Sequence, residues 1–133
     1  MSRTGGKGRA SRRQTDRERL ERAAELYLET CYHTRSAARV DELAEFLRRA
    51  RPHISRIVPD LFGMPVRDFL REKQLAHAQL LLRTTPATVE QIALSSAFGT
   101  SWTFYRCFKA AFGMTPAEYR RTHAEPDYAG RPA

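Results

Sequence analysis

The sequence predicts an all-α fold of about seven helices. Three observations carry this. Thr88 with Gln91, and Thr115 with Glu118, are capping boxes set just before helical runs, the second with Pro116 at the first helical position. Apolar residues recur at steps of three and four along most of the chain. The pattern of one half also returns in the other, about fifty residues later.

Taken in order, Met1 to Gln14 is glycine-rich, basic and almost free of apolar groups, so residues 1–14 are expected to be a disordered basic tail. Thr15 with Glu18 predicts the start of the ordered domain, 15–123, and of its first helix. That helix has Leu20, Ala23, Ala24, Tyr27 and Cys31 inward, Glu18, Glu21, Glu25 and Glu29 toward solvent, and its end near His33. A second helix is expected over Val40–Arg49, with Val40, Leu43, Ala44 and Leu47 inward. Arg51-Pro52 breaks the chain and opens a third, roughly Pro52–Phe62, stopped by Gly63. Val66 to about Arg83 reads as the longest helix, about 25 Å at 1.5 Å per residue. Its apolar residues change face along its length (Val66, Phe69 and Leu70, then Leu75, Ala78, Leu81 and Leu82), as expected of a helix with one neighbour near its start and another near its end.

From Thr88 the chain predicts three short helices. Val89, Ile92, Ala93 and Ser96 share one face of the first. After a break at 97–100, Ser101–Ala111 has Phe104, Phe108 and Ala111 on one side and Ser101, Trp102, Tyr105, Arg106 and Lys109 on the other. Gly113 supplies a residue able to take positive φ past its end. The third starts at Thr115, and residues 124–133 are expected to be a disordered tail.

The repeat decides the architecture. Val40, Leu43 and Ala44 return 49 positions later as Val89, Ile92 and Ala93. Past the turn the offset is 50: Ile54 with Phe104, Arg56 with Arg106, Val58 with Phe108, Gly63 with Gly113. The chain therefore reads as two helix-turn-helix units, 40–63 and 88–113, joined by the helix over 66–83. A short helix after a tight turn, exposing hydroxyl, aromatic and cationic groups, is shaped to enter a DNA major groove.

Charge agrees with that reading. The net charge is +8, with five cations and no acid in residues 1–15, and a basic balance favours a polyanionic partner, nucleic acid first among them. Cys31 and Cys107 lack the spacing of a disulfide or metal framework, and the four histidines propose no metal site. No apolar run approaches the ~18 residues of a membrane span, and the start lacks the apolar region of a signal peptide, so a cytoplasmic protein is expected. No carboxylate pair, nucleophile–base set or phosphate loop stands at a usable spacing, so neither an enzyme nor a cofactor is expected.

Two such units about fifty residues apart, with a connecting helix ending in Ala78, Leu81 and Leu82, resemble the AraC/XylS DNA-binding domain. The second unit carries the resemblance most fully, in Ile92-Ala93, Phe98, Phe104, Arg106, Phe108-Lys109, Gly113, Thr115-Pro116 and Tyr119-Arg120. It covers about residues 16–122 and implies a transcriptional regulator that binds double-stranded DNA. With no room for an effector domain, the chain resembles the small stand-alone members that bind as monomers. Those members are mostly activators, so activation is the expected sign, with RNA polymerase as a further expected partner.

The resemblance implies which residues meet DNA. Ser101, Trp102, Tyr105 and Arg106 are the base-facing positions of the second unit, and Pro52, His53, Ser55 and Arg56 those of the first. Arg106 can present two donors to guanine O6 and N7. Arg51, Thr100 and Lys109 are expected at phosphates, fixing register without reading sequence. The competing readings are a Trp102 that belongs to the core and arginines paired with acids.

Three departures stand out. Val58-Pro59 replaces the family's Phe-Lys, and an interior proline costs roughly 3 kcal/mol unless the helix bends or ends, so a shortened or kinked third helix is expected. Pro65-Val66 replaces a capping Ser-Pro. Ala97 stands where the second turn normally has glycine, so positive φ there would be strained. Pro59 also keeps open a degenerate module acting through protein contacts. A further alternative is a sequence-indifferent DNA packer driven by the basic tail.

Overall fold

The computed structural model describes the backbone of residues 2–125, with side chains from Ser11 onward. Seven helices and no strand are found among the described residues: α1 (Ser2–Thr34), α2 (Val40–Phe46), α3 (Arg51–Phe62), α4 (Val66–Thr84), α5 (Val89–Ser95), α6 (Ser101–Phe112) and α7 (Pro116–His123). They divide into two units. One holds the chain up to Tyr27 together with Arg39–Leu70; the other holds Leu28–Ala38 and the chain from Arg71 on. Both α1 and α4 thus give their first part to the first unit and their remainder to the second.

The first unit buries Leu20, Ala24 and Tyr27 of α1, Leu43 and Ala44 of α2, Ile54, Val58 and Leu61 of α3, and Val66, Phe69 and Leu70 at the start of α4. No side chain caps the start of α2, where Arg39 is the N-cap residue. The Tyr27 hydroxyl holds the cap residue itself, accepting the Arg39 N–H at 2.9 Å and donating to Glu42 Oε1 at 2.8 Å.

The second unit is built on aromatic rings. Phe98 and Phe104 have centroids 5.0 Å apart, Phe104 and Phe108 5.6 Å, and Phe108 and Tyr119 5.5 Å. Such pairs add about 0.5–1.5 kcal/mol each beyond the burial of their area. Leu75, Ala78 and Leu82 of α4 and Ile92 and Ala93 of α5 complete this core. The α7 helix is tied to the end of α4: Arg83 Nη1 donates to the Tyr119 hydroxyl at 2.9 Å, and Arg120 donates to the carbonyls of Leu82 and Thr85.

Several expectations change. The α1 helix continues back to Ser2, so residues 2–14 are helical and not a disordered tail, and Thr15 is not a cap: its hydroxyl donates to the Ser11 carbonyl in mid-helix. The chain here is not left to itself. Arg13 donates to both Asp60 Oδ2 and the Asp60 carbonyl, and Arg17 donates to the Leu61 carbonyl with its guanidinium 5.0 Å from the Phe62 ring centre. These are last-turn carbonyls of α3 that no helical N–H reaches, and cations there also complement the helix dipole. The α2 helix stops at Phe46, short of Arg49. Ala111, expected inward, is exposed. At the other terminus Ala124 and Glu125 are ordered, the Glu125 N–H reaching the Arg83 carbonyl, and the rest of the expected C-terminal tail, 126–133, lies outside the described residues.

Candidate nucleic-acid interface

The two helix-turn-helix units share their backbone bonds as well as their sequence pattern. In the first turn the Arg48 N–H reaches the Glu45 carbonyl and the Arg49 N–H the Ala44 carbonyl; 49 residues on, Ala97 reaches Leu94 and Phe98 reaches Ala93. This is the Schellman arrangement, which closes a helix with one left-handed residue. Arg48 has φ 56° and Ala97 φ 64°. The strain expected at Ala97 is present, about 1–2 kcal/mol for an L-residue, and its carbonyl is held by two donors, the Ala38 N–H at 3.0 Å and Gln74 Nε2 at 2.8 Å. The turn also needs a true glycine: Gly99 has φ 82°, and a Cβ there would stand 3.1 Å from Ala37 Cβ.

After the turn the offset is 50, as the repeat implied. Both α3 and α6 are twelve residues long and end on a left-handed glycine, Gly63 at φ 72° and Gly113 at φ 73°. Pro59 therefore does not shorten α3. Its missing N–H would have met the carbonyl of Ser55, and both residues are exposed, so water can satisfy that group. The two helices differ at their starts. Thr100 Oγ1 accepts the Thr103 N–H at 3.1 Å, whereas Ala50 at the matching position offers α3 no cap.

At about 100° per residue, Ser101, Trp102, Tyr105, Arg106 and Lys109 fall on one arc of α6. Phe104 and Phe108 lie outside that arc and are fully buried. Trp102 is 66% exposed, which settles against its being a core residue. Tyr105, Arg106 and Lys109 are exposed and Ser101 is half-buried. The Arg106 guanidinium sits 4.6 Å from the Trp102 ring centre. Thr100 is exposed, but its hydroxyl is committed to the cap and donates to Thr103 Oγ1.

On α3 the same arc holds Arg51, Pro52, Ser55, Arg56 and Pro59, all exposed. Arg56 has no side-chain partner among the described residues. Arg51 is paired with Asp41 at 2.9 Å; both side chains are more than half exposed, so the pair contributes at most about 1 kcal/mol and yields readily to a phosphate. His53 leaves the arc. It is half-buried and lines a cleft with Asp16, Arg19, Leu20 and Ile57. Pro59 occupies the position of Lys109, so the first arc has no cation there.

Arg71 of α4 was not legible as a site residue. It lines the cleft beside Thr103, Tyr105, Arg106 and Lys109, with its guanidinium 5.1 Å from the Phe98 ring centre. Only the approach of α4 to α6 brings it there, and its sequence neighbours give no sign of that. No group of metal-ligating side chains is found among the described residues, and no described helix is long and apolar enough to cross a membrane.

Comparison with known proteins agrees with this geometry. A helix-turn-helix domain family matches residues 43–122. "Probable transcription factor PqrA" of Proteus vulgaris is 30% identical over 101 residues, covering 76% of this chain and 83% of that protein. Other curated relatives are longer, and the chain spans 32% and 29% of two of them. A Chromobacterium violaceum transcriptional regulator of the AraC-type DNA-binding-domain group superposes with TM-score 0.68 over 84% of this chain and 98% of that one, at 22% identity. The DNA-binding domain of AdpA, solved in complex with a target DNA, gives TM-score 0.68 over 77% and 90% at 24% identity. At these identities the two structures speak for the fold. With a family match over more than half its length and a relative it largely spans, the chain belongs to the AraC-type helix-turn-helix family of DNA-binding transcriptional regulators.

Proposed function

We propose that this regulator binds DNA sequence-specifically through both units, α6 and α3 each entering a major-groove segment, and that it activates transcription. The observation that supports this best is the duplicated exposed arc, with Arg56 and Arg106 at matching positions and no carboxylate partner for either among the described residues. In this reading Arg106 and Arg56 read guanine edges, Trp102, Tyr105 and Ser101 contact neighbouring bases or sugars, and Lys109 and Arg51 hold phosphates. The protein acts by binding and not by catalysis, as a monomer on DNA in the cytoplasm, with RNA polymerase as its partner in activation. A relative named as a transcriptional activator supports the sign of regulation.

Selection of bound fragments from a random DNA pool tests the reading. Two sequence blocks about one helical turn apart, ~34 Å along the duplex, are expected. One block means that a single unit reads; no enrichment removes sequence specificity altogether.

A second reading rests on α3. Its uncapped start, the Arg51–Asp41 pair and Pro59 in place of a lysine leave the first unit less equipped for DNA than the second. In that reading the first unit docks on a protein such as RNA polymerase while the second holds DNA. A single selected block, with the Arg56→Ala variant binding DNA normally but failing to activate, would favour it.

A further inference from the structure

The two units carry comparable clefts beside their exposed helices, and the clefts differ in charge. In the first, His53 and Ile57 of α3 line the cleft with Asp16 and Arg19 of α1 and with Arg49, so one carboxylate shares it with two cations. In the second, Thr103 and Cys107 stand at the matching positions, and the other lining groups include Arg71, Tyr105, Arg106 and Lys109. Three cationic residues line this cleft and no acidic one does. None of the three has an ion pair among the described residues, although Lys109 lies near enough to Glu118 of α7 to help the Thr115 hydrogen bonds hold its carboxyl below the usual range. Like charges gathered in one cleft repel one another unless an anion sits among them.

Arg71 is also held in position. It is half-buried on α4, and its guanidinium lies over Phe98, itself 4% exposed and part of the core. A planar guanidinium resting on a ring keeps its N–H edges free, and part of the ordering cost of a phosphate contact is already met. Thr103 and Tyr105 also line the cleft, the Thr103 hydroxyl accepting from that of Thr100.

We infer that this cleft seats a phosphate of the DNA backbone beside the α6 groove segment, and that Arg71 is its principal ligand. The inference rests on the reading of α6 as a DNA-contacting helix. It adds a backbone clamp, supplied by α4, to the second unit.

The test compares the salt dependence of DNA binding by the full chain and three variants. Arg71→Met keeps a hydrocarbon chain over Phe98 while removing the charge; Arg71→Lys restores the charge; Arg19→Met removes a cation from the first unit's cleft. Thermal unfolding checks that each variant folds. Arg71→Met is expected to weaken all sequences alike and to lower the slope of log affinity against log salt by about 0.9, the value for one phosphate. Arg71→Lys should keep the slope, and Arg19→Met should leave it unchanged. A set of duplexes with single neutral methylphosphonate linkages should contain one that weakens the wild type and not Arg71→Met. An unchanged slope for Arg71→Met, with wild-type affinity, overturns the clamp and leaves the DNA reading intact. Absence of salt-sensitive binding by the wild type overturns both.

Discussion

Trp102 and Arg106 stand one helical turn apart on the exposed arc of α6, the guanidinium 4.6 Å from the ring centre. The long, flexible side chain proposed to enter the groove is thereby limited in its range before any DNA arrives. An exposed cation–π contact contributes about 0.5–1 kcal/mol, and Arg loses less freedom on binding when its plane is already supported. A double-mutant cycle on DNA affinity should therefore show coupling of that size between Trp102→Ala and Arg106→Ala. Effects that add to within about 0.3 kcal/mol would mean that the ring contact plays no part in binding.

In the proposed function the two cations of α6 have separate tasks. Arg106→Ala should relax preference at one or two base positions, because a bidentate guanine contact carries about 1–3 kcal/mol of discrimination. Lys109→Ala should weaken all sequences alike and lower the salt slope by about one. Affinities measured over a panel of single-base operator variants at several salt concentrations separate the two patterns. Equal loss on every sequence from both changes would make Arg106 a phosphate ligand.

At the matching helix starts, Thr100 caps α6 and Ala50 leaves α3 without a side-chain acceptor. The Ala50 backbone already has the extended geometry of a cap residue, φ −68° and ψ 143°. Ala50→Thr should therefore stabilise the protein by about 1 kcal/mol, read as a higher urea midpoint at unchanged slope. A neutral or lower midpoint would mean that the α3 start is satisfied by other means. If the variant also tightens DNA binding, the first unit takes part in it.

What the sequence made legible was local. Thr88 and Thr115 announce their helices because a capping box is written within four residues, and both boxes are present. The exposed arc of α6 was legible because a 3.6-residue period separates Phe104 and Phe108 from Trp102, Tyr105 and Arg106. The helix ends were harder. Arg35 and Arg48 take left-handed φ of 57° and 56°, and arginine carries none of the signal that Gly63 and Gly113 carry. Contacts between distant residues were not legible at all. Arg13 and Arg17 meet the α3 terminus 44 to 47 residues away, so a basic glycine-rich stretch looked like a tail. In the site, the Arg51–Asp41 pair, the turning of His53 toward α1 and the approach of Arg71 to α6 depend in the same way on how helices pack.

His77 links the second unit to pH. Burial holds its imidazole below the usual value near 6.5, and a hydrogen bond to the Ser95 carbonyl acts in the opposite direction without cancelling it. The ring is stacked on Tyr32, centroids 3.9 Å apart and nearly parallel. Together with Gln74, which donates to the Ser96 and Ala97 carbonyls, it occupies the end of α5 where the turn into α6 begins. The folded protein resists a proton that the unfolded chain accepts. Below pH 6.5 the unfolded state therefore binds more protons, and stability falls with pH until the folded-state value is passed, then levels off. The other histidines and the carboxylates titrate too, so the measurement is a difference: urea midpoints of wild type and His77→Gln across pH 4.5–8. Glutamine can still donate to Ser95 but cannot ionise. The wild type should lose more stability than the variant below pH 6.5, and the two should run parallel above it. Parallel curves across the whole range would show that His77 takes up its proton in the fold as easily as in water.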